Sequence, residues 1–339
     1  MKTMLIENFT KASYFEIMKY RRAHETAGNK AFVNNFLVPR LKEFGEPKID
    51  EVGNVILKYG DSRTVFSSHH DTMHNRLNEK IYQALKIDEN LLHLTSEGRE
   101  CLGADDGSGM WLMLRLLDFG IAGLYIFHAG EERGGIGSSY IAKETPNVLE
   151  GYERAIAFDR AYTSHVITHQ FGKRLASKTA ARFLAQELNT LTTWDQKFAP
   201  NDGGTFTDTA NYQQLIPECF NLSVGYYAQH TGKEYQDLRF LWKLSQTLPE
   251  VDWESMPTER DPKVPVKSKW EKDIKPFCTP RSFDEPPMIF QDDWIGNTVV
   301  TETWVKDYAF ELAEFFSIND ISEEYLMEAF GYECETFRL

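Results

Sequence analysis

The fold class is most clearly indicated by residues 102–135, LGADDGSGMWLMLRLLDFGIAGLYIFHAGEERGG. Residues 107–120 are opened by small residues and continue as an apolar run, which predicts a buried helix. The run GLYIFHAG (123–130) is short, apolar and bounded by glycine, as is typical of a strand in the core of a sheet. Acidic pairs stand where this helix begins and where this strand ends. The stretch therefore predicts a helix–strand unit that carries carboxylates at the edge of a sheet.

Predicted strands and helices alternate on both sides of this stretch. Short apolar runs predict strands at 54–60, 64–70, 154–159, 164–170 and 216–225. Helical spacing of apolar residues predicts helices within 10–44 and at 138–150, 178–191 and 234–248. Residues 74–100 are polar and less regular, which indicates a hairpin or a loop excursion. The alternation predicts an α/β three-layer sandwich around a mostly parallel central sheet.

The composition changes after Leu248. Residues 249–300 are rich in proline and charge and predict an irregular connection. Two aromatic-rich runs, 301–316 and 321–330, then predict helices, so that 301–339 forms a helical C-terminal extension. The predicted division is one α/β domain over 1–248, the connection, and this extension.

Charge and composition limit the classes of partner and the cellular compartment that we expect for this protein. The chain of 339 residues has 37 basic and 51 acidic side chains, a net charge of −14, which disfavours nucleic acid and anionic membranes as partners. There is no apolar run long enough to span a membrane and no signal-peptide pattern at the first residues. Four cysteines without metal-type spacing are expected to be free thiols in a reducing compartment. We expect a cytoplasmic protein.

Five segments bearing histidine or carboxylate follow one another along the chain, each at the end of an apolar run. They are SSHHDT with His69 and Asp71, LGADDGSG with Asp105, HAGEERGG with Glu131 and Glu132, IAFDRA with Asp159, and YYAQHTGKE with His230. Imidazole and carboxylate are ligands of divalent zinc, cobalt and manganese. In an α/β sheet, side chains at the ends of strands converge on one edge. The series predicts a site for two divalent metal ions.

The residue types match what a pair of metal ions requires. Such a pair needs one bridging carboxylate, private ligands for each ion, and a free carboxylate that can take a proton from water. Asp105 suits the bridge because flanking glycines allow a sharp turn. The adjacent Glu131 and Glu132 have diverging side chains, so one can bind metal while the other faces the substrate. Asp71 lies two residues after His69 and can orient its imidazole.

In this order, the motifs resemble those of the co-catalytic zinc aminopeptidase and deacylase superfamily, over about residues 50–245. This superfamily includes leucyl aminopeptidases, tripeptidases, glutamate carboxypeptidases and acetylornithine deacetylases. The resemblance makes 1–248 a metallopeptidase-like catalytic domain. It implies these roles: His69 and Asp159 hold one metal ion, Glu132 and His230 hold the other, Asp105 bridges them, Glu131 is the general base, and Asp71 supports His69.

Three further expectations follow from the resemblance. The peptide bond before Asp106 is expected to be cis, and the FTDTA segment around Asp208 is given only a supporting role. Many relatives insert a lid or dimerisation domain between the last two ligand segments. The interval from Asp159 to His230 is 71 positions (230 − 159), which leaves no room for such an insert. The layout is closer to the single-domain aminopeptidase branch.

The implied activity is metal-dependent hydrolysis of amide bonds in small peptides, with a metal-bridging water activated by Glu131. The first alternative is an N-deacylase of acyl amino acids on the same scaffold. The second is a non-catalytic binding or scaffolding protein that retains the fold. Zinc is the expected metal, with cobalt and manganese equally suited by ligand type. The neighbouring His70 and His74 are expected to be structural. The sequence leaves the substrate and the oligomeric state open, and it allows an oligomer.

Overall fold

The computed structural model describes residues 2–264. The α-helices, in chain order, are α1 (Lys2–Lys11), α2 (Tyr14–Lys19), α3 (Ala27–Phe32), α4 (Val38–Leu41), α5 (Ala104–Asp118), α6 (Ile136–Glu144), α7 (Lys178–Leu191) and α8 (Leu238–Thr247). A π-helical turn, Val33–Leu37, joins α3 to α4. Short 3-10 turns lie at Glu131–Arg133, Pro146–Leu149, Asp208–Tyr212 and Leu248–Glu250. The helix predicted over 138–150 therefore begins two residues earlier and ends before Pro146, which cannot continue it.

The strands are β1 (Lys48–Ile49), β2 (Val55–Tyr59), β3 (Thr64–His69), β4 (Leu85–Asp88), β5 (His93–Ser96), β6 (Gly123–His128), β7 (Arg154–Arg160), β8 (His165–Ile167), β9 (His169–Gln170), β10 (Lys173–Arg174), β11 (Ala199–Asn201), β12 (Glu218–Ser223), β13 (Tyr226–Tyr227) and β14 (Tyr235–Asp237). Eight of them form the main sheet in the order β1-β2-β6-β3-β7-β12-β8-β11. The four central strands β6, β3, β7 and β12 are mutually parallel, while β1, β2 and β8 pair antiparallel to their inner neighbours. This confirms the mostly parallel central sheet.

The sheet is covered on both faces, which makes the three layers. Along β3, Phe66 joins one apolar cluster and Val65 joins another, because successive side chains of a strand point to opposite faces. The first cluster contains the buried residues of α5, α7 and α8, and the second contains Ile141 of α6. Strands buried on both faces read as unbroken apolar runs, which is why they were visible in the sequence.

A smaller sheet stands beside the main one, with the order β13-β14-β5-β4. The excursion over 74–100 contributes the hairpin of β4 and β5, and β14 pairs antiparallel with β5. The helix predicted over 234–248 is wrong at its start, because residues 235–237 form β14 and α8 begins at Leu238. Asp237 caps α8, its side chain accepting hydrogen bonds from the backbone N–H groups of Arg239 and Phe240.

The C-terminal end of the described residues lies on the core. Residues 251–264 contain no helix or strand, yet Val251, Trp253 and Met256 belong to the first apolar cluster. The Trp253 ring meets Phe66 edge-on, with centroids 5.2 Å apart. The division at Leu248 stays a prediction, and the helices predicted within 301–339 lie outside the described residues. Among the described residues, no helix is long and apolar enough to cross a membrane.

Candidate metal centre

Parallel strands bring the predicted site residues to one edge of the sheet. Strands β3, β6 and β7 run in the same direction, so their carboxyl ends lie together. His69 ends β3, Asp159 is the penultimate residue of β7, and the turn with Glu131 and Glu132 follows β6. Asp105 lies at the start of α5, and His230 lies in the turn between β13 and β14. All the predicted ligands therefore come from different elements that meet at this edge.

The carboxylate of Asp105 lies between two imidazoles. Its Oδ1 is 3.1 Å from Nε2 of His69, and its Oδ2 is 3.2 Å from Nε2 of His230. Its two oxygens thus face two different histidines. This is the arrangement that a bridging carboxylate requires, because each oxygen can serve a separate ion.

Two groups of side chains share Asp105. Site A consists of His69, Asp105 and Asp159, and site B consists of Asp105, Glu132 and His230. Within each group, one donor atom per residue lies within 4.8 Å of the others. In site B, Oε1 of Glu132 is 3.0 Å from Nε2 of His230. Nitrogen and carboxylate oxygen donors in such groups fit zinc, cobalt or manganese, so the residues present suit the metal pair that the sequence predicts.

Glu131 belongs to a third group of possible metal donors, with His69 and Glu132. Its Oε2 is 3.9 Å from Nε2 of His69, and its backbone N–H donates to Oδ1 of Asp71 at 3.1 Å. Asp71 therefore holds the backbone of Glu131. Its support of His69 is less direct than expected, because Nδ1 of His69 is 3.2 Å from the Asp71 carbonyl oxygen and 3.6 Å from the carboxylate.

The electrostatics are those of buried carboxylates that need cations. Burial and, after it, the neighbouring carboxylates raise the pKa of Glu131 well above its usual value and that of Glu132 to about 7, while the nearby histidines act in the opposite direction. Burial alone would lower the pKa of His69, but the carboxylates around it raise that pKa well above its ordinary value. Burial likewise opposes the charged form of His230, and Glu132 and Asp105 nevertheless raise its pKa to about 12. The carboxylates thus favour the charged form of both imidazoles.

Two polar side chains that sequence analysis did not single out support the ligands. The hydroxyl of Tyr226 donates to Oδ1 of Asp159 at 3.0 Å, and the side chain of Asn221 accepts from the Asp159 backbone N–H at 2.9 Å. Tyr226 is the first residue of the YYAQHTGKE segment, which the sequence analysis singled out only for His230, and Asn221 stands in no recognisable motif.

The neighbours of the ligands behave as the sequence predicts. The peptide bond between Asp105 and Asp106 is cis. The Asp106 carboxylate accepts hydrogen bonds from Ser68 and from the backbone of Gly109, so it holds the turn. Asp208 is buried, which raises its pKa to about 8, while the charge of His69 acts in the opposite direction.

The flanking histidines have structural partners. His70 contacts the Asn29 side-chain amide through Nδ1 and the Gly53 carbonyl oxygen through Nε2. His74 contacts Thr72 and Gln83 through its two ring nitrogens. Both side chains are buried, and neither belongs to a group of described residues that could hold a metal ion.

Solved peptidase structures share this fold. Aminopeptidase PepT from Bacillus cereus ATCC 10987 aligns with a TM-score of 0.56 at 14% identity, over 75% of this chain and 98% of that chain. A tripeptidase from Staphylococcus aureus subsp. aureus Mu50 aligns with a TM-score of 0.54 at 15% identity, over 75% and 98%. The TET1 peptidase of Pyrococcus horikoshii, which can assemble into a tetrahedron or a large octahedral shell, aligns with a TM-score of 0.51 at 15% identity, over 74% and 99%.

Sequence comparison alone finds no relative: neither a protein-family model nor a curated protein matches the chain. The shared fold thus persists where little sequence identity is left. The chain has the fold of aminopeptidases and tripeptidases, which confirms at the level of the fold the resemblance that its five motifs carry.

Proposed function

We propose that this protein hydrolyses peptide bonds in small peptides with two divalent metal ions, one at site A and one at site B. The observation that carries the proposal is the placement of Asp105, whose two oxygens face His69 and His230 at 3.1 and 3.2 Å. The peptidase fold agrees with it, as does the burial of the surrounding carboxylates. Buried carboxylates are costly unless a cation pairs with them.

The donor set determines which residues would hold the ions. His69 and Asp159 would be private to site A, Glu132 and His230 would be private to site B, and Asp105 would be shared. Zinc is our first choice of metal, with cobalt and manganese as alternatives of the same ligand chemistry. When bound, two such ions polarise a substrate carbonyl and make a water molecule acidic near neutral pH.

Glu131 is the residue we assign to proton transfer. One of its oxygens accepts the proton of the attacking water, and the same carboxyl then gives that proton to the leaving amine. A carboxyl whose pKa is raised by burial holds a proton more readily than a free carboxyl, which suits both halves of this exchange. Asp71 holds the Glu131 backbone through its 3.1 Å hydrogen bond, and so supports the position proposed for this carboxylate.

Substrate turnover tests the proposal and separates it from its enzymatic rival. The zinc- or cobalt-loaded protein should hydrolyse leucine anilide and short peptides, and a chelator should abolish the activity. A protein that turns over only N-acetyl amino acids would be a deacylase on the same scaffold. The peptidase structures that share the fold favour the first outcome.

The non-catalytic alternative makes a different prediction. A protein that kept the fold as a binding scaffold would not require metal. Purification without chelators, followed by elemental analysis, should give close to two ions per chain after metal is supplied. Fewer than one ion per chain, with no gain on adding metal, would support the scaffold instead.

A further inference from the structure

A buried carboxylate outside the two metal groups holds the turn that carries Asp105. Glu234 is 2% exposed. Its Oε2 accepts hydrogen bonds from the backbone N–H groups of Leu102 and Gly103, at 2.9 and 3.1 Å. Its Oε1 accepts from the N–H of Asp105 itself, at 3.1 Å. One side chain thus satisfies three backbone donors within four residues.

The turn before α5 needs such acceptors because its backbone is not helical. Gly103 lies in the left-handed region at φ 76°, and Asp105 and Asp106 have non-helical φ and ψ angles. The Asp106 side chain accepts the N–H of Gly109 and so caps the regular part of α5. The N–H groups of the preceding turn have no helical partner, and Glu234 accepts three of them from a position about 130 residues further along the chain.

A buried cation holds the same turn from its other side. The guanidinium of Arg22 is fully buried and donates to the carbonyl oxygens of Gly103, at 2.7 Å, and Ile17, at 2.9 Å. A side-chain carbon at Gly107 would come within 2.8 Å of this guanidinium, so the glycine leaves the space that Arg22 fills. The turn before Asp105 is therefore held by two buried side chains: the Glu234 carboxylate accepts from its N–H groups, and the Arg22 guanidinium donates to one of its carbonyl oxygens.

Glu234 also lies at the end of the turn that carries His230. Ala228 and His230 have positive φ values, 53° and 63°, which non-glycine residues rarely adopt. The hydroxyl of Thr231 donates to the carbonyl oxygen of Ala228 at 2.7 Å, and the N–H of Glu234 donates to the Thr231 carbonyl oxygen at 3.1 Å. A side-chain carbon at Gly232 would lie 2.2 Å from the carbonyl oxygen of Arg99, so this turn sits directly against the segment before α5.

We propose that Glu234 is a positioning residue for site B, which ties the His230 turn to the Asp105 turn and so fixes the separation of these two ligands. The inference rests on the proposed function, because it assigns a role in holding a metal ion at site B. Glu234 is not itself a ligand in the role proposed, and it contacts Asp105 only through the backbone N–H of that residue. It acts through the backbone of Asp105 and through the chain that leads back to His230.

A merely structural cap is the rival explanation, and the chain offers a matched control for it. Glu218 is also a fully buried glutamate that accepts three backbone N–H groups: those of Ser177, Glu259 and Arg260, at 2.6, 2.9 and 3.1 Å. It begins β12, opposite Arg154 at the start of β7, and so lies at the edge of the sheet away from the metal groups. The same substitution at Glu218 measures the cost of losing such a cap without touching site B.

The substitution E234Q removes one acceptor and leaves the size of the side chain unchanged. If the amide oxygen of the substituted side chain accepts from the N–H groups of Leu102 and Gly103, its amide nitrogen faces the N–H of Asp105, which then has no acceptor. In the opposite orientation, the N–H groups of Leu102 and Gly103 lose their acceptor. The experiment is a cobalt titration of metal-free wild type, E234Q, E218Q and H230A, followed by visible absorption and calorimetry. The binding event that H230A removes identifies site B.

We expect E234Q to weaken binding at site B by about 10- to 100-fold, the usual effect of losing a group that orients a ligand, with an altered cobalt spectrum and a smaller effect at site A, which shares Asp105 but not His230. E218Q should lower the melting temperature yet leave both affinities within about twofold of wild type. If E234Q does not fold, E234D serves instead, since its shorter side chain keeps the charge but cannot reach all three donors.

The outcomes separate the inference from the function on which it rests. Two ions bound by wild type, with site B affinity and spectrum unchanged in E234Q, would overturn the inference alone. Equal weakening of site B in E234Q and E218Q would overturn it too, because the effect would then be one of general stability. A wild type that binds fewer than two cobalt ions would overturn the proposed function, and this inference with it.

Discussion

Two adjacent glutamates should respond in opposite ways to the same substitution. We assign proton transfer to Glu131 and metal binding to Glu132, although the two residues are consecutive and lie in the same turn. The substitution E131Q preserves size and shape, and the backbone N–H that Asp71 accepts is still present. The variant therefore keeps the site but cannot accept a proton.

The expected loss follows from the chemistry of that proton. General acid–base catalysis contributes about 10²- to 10⁴-fold to a rate, which at 1.36 kcal/mol per tenfold is about 2.7 to 5.4 kcal/mol of the barrier. E131Q should lower kcat by that factor and leave the metal content at two ions per chain. E132Q removes a donor that lies 3.0 Å from Nε2 of His230, so it should lose the ion at site B.

The assay is hydrolysis of leucine anilide, with metal measured by elemental analysis after dialysis against a fixed free-metal concentration. Each variant is the control for the other, because both lose one buried carboxylate of the same turn. The reasoning would be refuted by E131Q retaining more than a tenth of wild-type kcat. It would equally be refuted if E131Q lost metal while E132Q kept both ions.

Three further outcomes are expected. Removing metal should lower the melting temperature, because an ion at 100 times its Kd stabilises the fold by about 2.7 kcal/mol per site, or about 4 °C per site for a protein of this size; identical melting curves with and without chelator would contradict this. Metal binding should release protons and should weaken as the pH falls below 7. The reason is that the raised pKa values of His69 and Glu132 leave protons on these ligands, and the ion must displace them. The same binding heat in buffers of different ionisation enthalpy would rule this out. The substitution W253A should destabilise the protein by about 3 to 5 kcal/mol in urea denaturation, as for other buried tryptophans, since Trp253 packs on Phe66; a loss below about 1 kcal/mol would mean that the chain after Leu248 does not belong to the core.

The sequence predicts best those helices and strands whose bounds follow from one periodic pattern of apolar residues. The helix predicted over 178–191 is α7, with bounds Lys178–Leu191, because its apolar residues recur on one face between a serine cap and a β-branched end. The strands that carry His69 and Asp159 are recognisable from the short apolar stretches Val65–Phe66 and 155–158, because both faces of the sheet are covered. Their parallel order then placed the ligands at one edge.

The contacts that support the ligands were not predictable in the same way. Glu234 lies in a polar stretch, GKEYQD, whose spacing resembles the start of a helix, and its three partners are about 130 residues away in sequence. Nothing local distinguishes it from a solvated acidic residue. The N-cap pattern at Asp237 was the one available signal that α8 begins later than its apolar periodicity suggests. The role of Tyr226 was not predictable either, because its hydrogen bond to Asp159 depends on how the strands pair and not on the residues next to it in sequence.

The bridging role of Asp105 is the central claim, and anomalous diffraction from zinc-loaded crystals tests it most directly. The account predicts two peaks about 3.5–4 Å apart, each about 2.0–2.2 Å from a different carboxylate oxygen of Asp105, with His69 near one peak and His230 near the other. A single peak, or two peaks that do not share Asp105, would contradict it.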